Sequence, residues 1–202
     1  LPHIVVLEST HKNKSHNAVA DVLCEMWTDL GGGTASNHKS MVVNGRCSGA
    51  NACELSNNTR VDVVLFGAGE AGQDLYIDIS ISCVECHSSS EIAIQAKEKD
   101  KNDMYKNEVE KLPNCQFLPF VIGSVGGFGS CARQVWSHLK AHTKQVQGRD
   151  WRRAWSSRSF CERWRQSISV RLMRHTAGSM IERALPVTRP RALALEVDTD
   201  GT

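Results

Sequence analysis

The chain has 202 residues, 41% of them hydrophobic and 23% charged, a balance that fits a globular domain and excludes a disordered one. No run of about eighteen apolar residues occurs, and His3, Glu8, His11, Lys12 and Lys14 interrupt the start, which argues against a membrane span and a secretory leader. The formal net charge is only +2, but residues 1–130 hold 10 Lys or Arg against 16 Asp or Glu, whereas residues 131–191 hold 14 against 3.

The chain opens on Leu1 rather than Met, with residues that read as the end of a strand. A piece of a longer, soluble and intracellular polypeptide is therefore expected. Val19, Val22, Leu23, Met26 and Leu30 recur at helical spacing and predict a helix over 16–30, stopped by Gly31, Gly32 and Gly33. Residues 31–59 are rich in Gly, Ser and Asn and predict a long loop with one strand at Ser40 to Asn44.

Residues 60–82 predict a hairpin. Val61, Val63 and Leu65 alternate with Asp62, Val64 and Phe66; after a turn over 67–73, Leu75, Ile77, Ile79 and Ile81 share one face and Asp74, Tyr76, Asp78, Ser80 and Ser82 the other. A charged helix is expected from Ser90 to Leu112, capped by one of Ser88 to Ser90 and ended by Pro113 and Asn114. A strand buried on both faces follows at Gln116 to Val125. Beyond it, Val135, Trp136, Leu139 and Val146 make one helical stripe, and Phe160, Trp164, Ile168, Ala177, Met180 and Ile181 another. The expected class is α/β (α+β), with a core over 1–130, a basic helical extension over 131–185 and a flexible tail over 186–202.

Two carboxylates carry the chemical argument. Asp62 opens one hairpin strand and Asp78 lies inside the other, between Ile77 and Ile79, where an unpaired acid is costly. Acids on adjacent strands can hold Mg²⁺ or Mn²⁺, which offsets charge on a scissile phosphate and makes hydroxide available near neutral pH. The alternative is that the Asp78 face is only the wet side of a hairpin. A lysine two residues after the second acid would complete such a site, but that position is Ser80. The next helix offers one instead: Ile94, Lys101, Tyr105, Val109 and Leu112 share a stripe, so Lys101 is the first candidate and Lys97, one turn earlier, the second. Against this, Lys97, Lys99, Lys101 and Lys106 interleave with Glu98, Asp100 and Asp103 as a solvated face would.

The blocks His16 to Asp21, Arg60 to Val64, Asp74 to Ser80, Phe117 to Val121 and Gln166 to Val170, in this order, resemble the restriction-like endonuclease region found downstream of reverse transcriptase in non-LTR retrotransposon polyproteins. The resemblance spans about residues 3–184. It implies a PD-(D/E)XK core that nicks chromosomal DNA in the nucleus and exposes a 3′-hydroxyl to prime reverse transcription. By it, Asp62 matches the first acid, Asp78 the second, and Lys97 to Tyr105 the segment that supplies a displaced lysine. The implied partners are DNA and an upstream reverse transcriptase domain, with no membrane. Val61 and Met104 depart from the family pattern; of the Cys/His zinc knuckle that relatives carry just upstream, only His3 could belong, Leu7 stands where its last cysteine would fall, and no zinc site follows.

The basic segment reads as a phosphate-contacting face, with Arg149, Arg152, Arg153, Arg158, Arg163 and Arg165 among Trp136, Trp151, Trp155 and Trp164. A packed cap whose arginines only solubilise it is the alternative. Two readings outside the lead stay open: a catalytically decayed nucleic-acid-binding module, and a repair or resolvase nuclease of the same architecture. Cys83, Cys86 and His87 sit close together, but Cys47 and Cys53 are spaced too widely to make the usual zinc partner pair. The irregular spacing of the eight cysteines favours reduced thiols. Glu25 falls off its apolar stripe and reads as a surface acid, and His16 as helix-start packing.

Overall fold

The computed structural model describes residues 3–36, 39–42, 55, 60–82, 90–124, 126–143 and 160–184. The first helix, α1, runs from His3 to Asp29. It starts thirteen residues ahead of the expected 16–30, because the β-branched Val5 and Val6 that suggested a strand belong to a helix opening just after Pro2. Val19, Val22, Leu23 and Met26 are fully buried along one stripe. Gly31, at φ +86, takes the left-handed conformation that ends the helix.

Among the described residues five strands follow: β1 (Gly33–Ser36), β2 (Lys39–Val42), β3 (Val63–Phe66), β4 (Asp74–Ser82) and, after the helix α2 (Ser90–Val109), β5 (Cys115–Gly123). They form one sheet in the order β2-β1-β3-β4-β5. β1, β3 and β4 are antiparallel neighbours, and β5 returns parallel to β4 through α2. The strand expected at Ser40 to Asn44 is β2, but β1 lay hidden in the Gly-rich stretch. The buried Thr34 and Ala35 hold it between β2 and β3. β5 is an edge strand, the place where Pro119 and its missing donor are tolerated.

Helices cover both faces of the sheet. On one, Val63, Leu65, Leu75, Ile77, Ile79, Leu118, Phe120 and Ile122 pack with α1 and with two further helices, α3 (Ser130–Thr143) and α4 (Phe160–Ala184). On the other, Val64, Phe66 and Phe117, with the half-buried Tyr76, pack against Tyr105 and Val109 of α2. Each fully buried aliphatic or Phe side chain contributes about 1.5–3 kcal/mol, so these two clusters set the layer order. The result is a mixed α/β fold with four helices among the described residues, as the expected class requires.

The two basic helices share the larger core with the sheet. Val135, Trp136 and Leu139 of α3, and Trp164, Ile168 and Leu172 of α4, are buried in it. The α4 row is Trp164, Ile168, Leu172, and not the expected continuation to Ala177, Met180 and Ile181, which are exposed. Glu25 of α1 is half exposed and pairs with Arg171 of α4 at 2.6 Å. No described helix is long and apolar enough to cross a membrane.

Candidate active site

The β3/β4 ladder pairs Val63 with Ile77, Val64 with Tyr76 and Leu65 with Leu75. One further step brings Asp62 beside Asp78, on the face that α2 covers. There the ladder gives way: Asp62 lies just ahead of β3 rather than opening it, its N–H bonds to the Ile77 carbonyl at 3.0 Å, and its side chain turns back to the partner strand. Asp62 Oδ2 accepts the Ile79 N–H at 2.7 Å. The first acid thus supplies the acceptor that a regular strand would have offered.

Asp62 Oδ2 also accepts a hydrogen bond from His16 Nε2 at 2.8 Å, from a residue 46 positions earlier in the chain. The other ring nitrogen, Nδ1, faces Asn17 Oδ1 at 3.2 Å. Burial works against a charged imidazole, but the hydrogen bond and charge of Asp62, with Asn17 and Asp78 behind them, prevail and raise the His16 pKa above 6.5. His16 is mid-helix, so the helix-start role gives way to a contact with the first acid.

Asp78 is not on a wet face. It is 4% exposed, and Lys101 Nζ stands 2.8 Å from its Oδ2. Lys101 acts on this enclosed carboxylate through its hydrogen bond and its charge together. Burial and the neighbouring charge of Asp62 push the Asp78 carboxyl above 3.8, against the opposing effects of Lys101 and Tyr105. Tyr105, one helical turn after Lys101, has its ring 5.5 Å from the ammonium. Burial, then the charge and hydrogen bond of Asp78, raise its phenol pKa to about 12.

Asp62, Asp78 and Lys101 are therefore brought together at one place. Lys97 is partly exposed and makes no ion pair among the described residues. The solvated-face reading of α2 fails at Glu98 as well as at Lys101. Glu98 is 5% exposed and its carboxylate accepts the Ser130 hydroxyl at 2.6 Å and the Cys131 N–H at 2.7 Å, at the start of α3. His16 and Glu98 are the partners that sequence reasoning missed.

No group of three or more His, Cys, Asp or Glu suited to a metal occurs among the described residues; Asp62 and Asp78 are the acids here that could hold a divalent cation, with water completing its shell. That is the coordination Mg²⁺ accepts, because it keeps several waters. When bound, such an ion would neutralise phosphate charge and lower the pKa of a bound water.

Of the arginines expected to contact phosphate, Arg163 lies over the Trp164 ring at 5.1 Å and Arg165 over the Trp136 ring at 5.8 Å. Arg149, Arg152, Arg153 and Arg158 lie outside the described residues, as do Cys47, Cys53, Cys83, Cys86 and His87. Compared with known proteins, the chain matches no family model and no curated sequence.

Proposed function

We propose that the chain is a metal-dependent DNA endonuclease domain of a retroelement reverse-transcriptase polyprotein, built on a PD-(D/E)XK core and acting in the nucleus to nick target DNA and prime reverse transcription. The observation that carries the proposal is the meeting of Asp62 and Asp78 from neighbouring strands with Lys101 from the following helix, 2.8 Å from Asp78. In this reading the acids hold Mg²⁺ or Mn²⁺. Lys101 orients the attacking water or offsets charge in the transition state. The basic α3 and α4 segment meets the phosphate backbone. The upstream reverse transcriptase domain of the same polyprotein uses the exposed 3′-hydroxyl.

The test is nicking of supercoiled plasmid in Mg²⁺ by wild type and Asp78→Ala. Loss of nicking in the variant is expected, and equal activity rejects the assignment.

A second reading is favoured by one specific feature. Both Oδ2 atoms already face a basic group, His16 or Lys101, and Ser80 stands where a lysine would complete the strand motif. A decayed nucleic-acid-binding module predicts salt-sensitive DNA binding without cleavage in Mg²⁺ or Mn²⁺. Robust metal-dependent nicking removes it.

A further inference from the structure

The orientation of Asp62 is held from two sides. The Ile79 N–H approaches Oδ2 from the adjacent strand at 2.7 Å, and His16 Nε2 approaches the same atom from α1 at 2.8 Å. One donor would leave the carboxyl free to turn about its last torsion. Two donors from different elements fix it, and they leave Oδ1 as the oxygen without a hydrogen-bond partner among the described residues. His16 is itself constrained, since its Nδ1 faces Asn17 Oδ1 at 3.2 Å and the flanking Ser15 and Ala18 to Ala20 are buried.

We propose that His16 is a positioning residue for Asp62, holding its carboxylate with Oδ2 turned to the protein and Oδ1 presented to a divalent cation. The second half of this statement rests on the endonuclease reading; the first half does not. A partner that orients a metal-binding carboxylate in this way typically changes metal affinity or activity 10–100-fold when removed.

The experiment uses the full chain as wild type, His16→Ala and His16→Gln. The glutamine amide nitrogen falls about where Nε2 does and can donate the same bond. Three quantities are read: the Mn²⁺ dissociation constant without DNA, kcat and KM for plasmid nicking in Mg²⁺, and the amide proton resonance of Ile79. In His16→Ala the account expects Mn²⁺ binding about 10–100-fold weaker and kcat lowered with KM for DNA unchanged. It also expects an Ile79 amide moved from its wild-type position, and His16→Gln recovering most of all three.

Mn²⁺ affinity within about twofold of wild type and an unmoved Ile79 resonance overturn the proposal. If wild type neither binds Mn²⁺ nor nicks while the Ile79 amide still moves in His16→Ala and returns in His16→Gln, the endonuclease reading falls and the positioning of Asp62 stands. If His16→Ala does not fold, His16→Asn, whose amide is too short to reach Asp62, replaces it with the same expected readouts.

Discussion

A carboxylate in the middle of a strand is costly to enclose, and Asp78, at 4% exposure between Ile77 and Ile79, bears that penalty. The Lys101 ammonium offsets part of it, yet the Asp78 carboxyl still titrates above the ordinary aspartate value, because burial and Asp62 outweigh Lys101 and Tyr105. Removing one partner of a buried pair leaves the other charge uncompensated, so Lys101→Met, which keeps the apolar stem, is checked for folding by chemical denaturation beside its activity. Lys101→Met is expected to lower nicking about 100-fold or more, on the scale of losing a preorganised transition-state donor. Lys97→Met, a turn away without an ion pair among the described residues, should change the rate less than about threefold. Equal losses in the two variants would contradict the assignment.

Tyr105 reports on the same acid without any reaction. In an absorbance titration Tyr105 should ionise late, at about 12. The folded protein holds this proton more tightly than the unfolded chain. The stability it contributes is therefore complete below pH 10 and is lost as pH rises through 10 to about 12. Burial is the largest cause of this shift and the Asp78 charge the next, so Asp78→Asn should move the late transition part of the way towards 10. An unmoved transition in that variant would separate Tyr105 from Asp78.

Between elements, Glu98 is the link that fixes α3 against α2. Its carboxylate satisfies the hydroxyl of Ser130 and the N–H of Cys131, donors that a helix start leaves without internal partners. Gly129 leaves room for it: a Cβ there would lie 2.2 Å from Glu98 Oε1. Because Glu98 is buried and doubly bonded, it cannot swing away cheaply. Gly129→Ala and Glu98→Ala should each destabilise the fold by about 1–3 kcal/mol in chemical denaturation. Additive losses in the double variant would show that the two act separately.

The hairpin, α2 and β5 were legible in the sequence because their signals are local. Alternation marks β4, a stripe marks α2, and a crowded apolar run marks β5. The convergence of Asp62, Asp78 and Lys101 was legible for the same reason, since strand and helix periodicity project all three to one side. β1 was not legible, because Gly33, Thr34, Ala35 and Ser36 carry almost no apolar pattern and gain their burial from neighbours on either side. The opening residues of α1 read as the end of a strand from the β propensity of Val5 and Val6, a preference that the helix overrides. His16 and Glu98 were hidden by distance, as their partners lie 46 and 32 or 33 positions away. No short-range pattern marks such contacts. For Glu98, the position three residues before Lys101 on the same helix was the one available hint.

At the scale of the whole molecule, the acidic site and the basic helices are parts of one packed body. Trp164, Ile168 and Leu172 of α4 lie in the same core as the sheet. Leu172→Ala, at 2% exposure, should lower stability by about 2–5 kcal/mol and broaden or lower the unfolding transition of the entire described core. An isolated loss of α4 with the sheet intact would show instead that the helix is an independent appendage. The charge carried by residues 131–191 predicts DNA binding whose logarithm falls linearly with the logarithm of salt concentration. Arg163 and Arg165 lie over tryptophans of the core, Arg163 half-buried and Arg165 exposed. Replacing both with Gln should lower the salt slope by about 1–2 if both contact phosphate, and an unchanged slope would assign them to packing alone.

The most direct measurement is a crystal of the full chain soaked in Mn²⁺, with the ion located by its anomalous scattering. The account predicts one peak within ligand distance of both Asp62 Oδ1 and the Asp78 carboxylate, lost in Asp78→Asn. A peak bound elsewhere, or one at this position that survives the substitution, would contradict it.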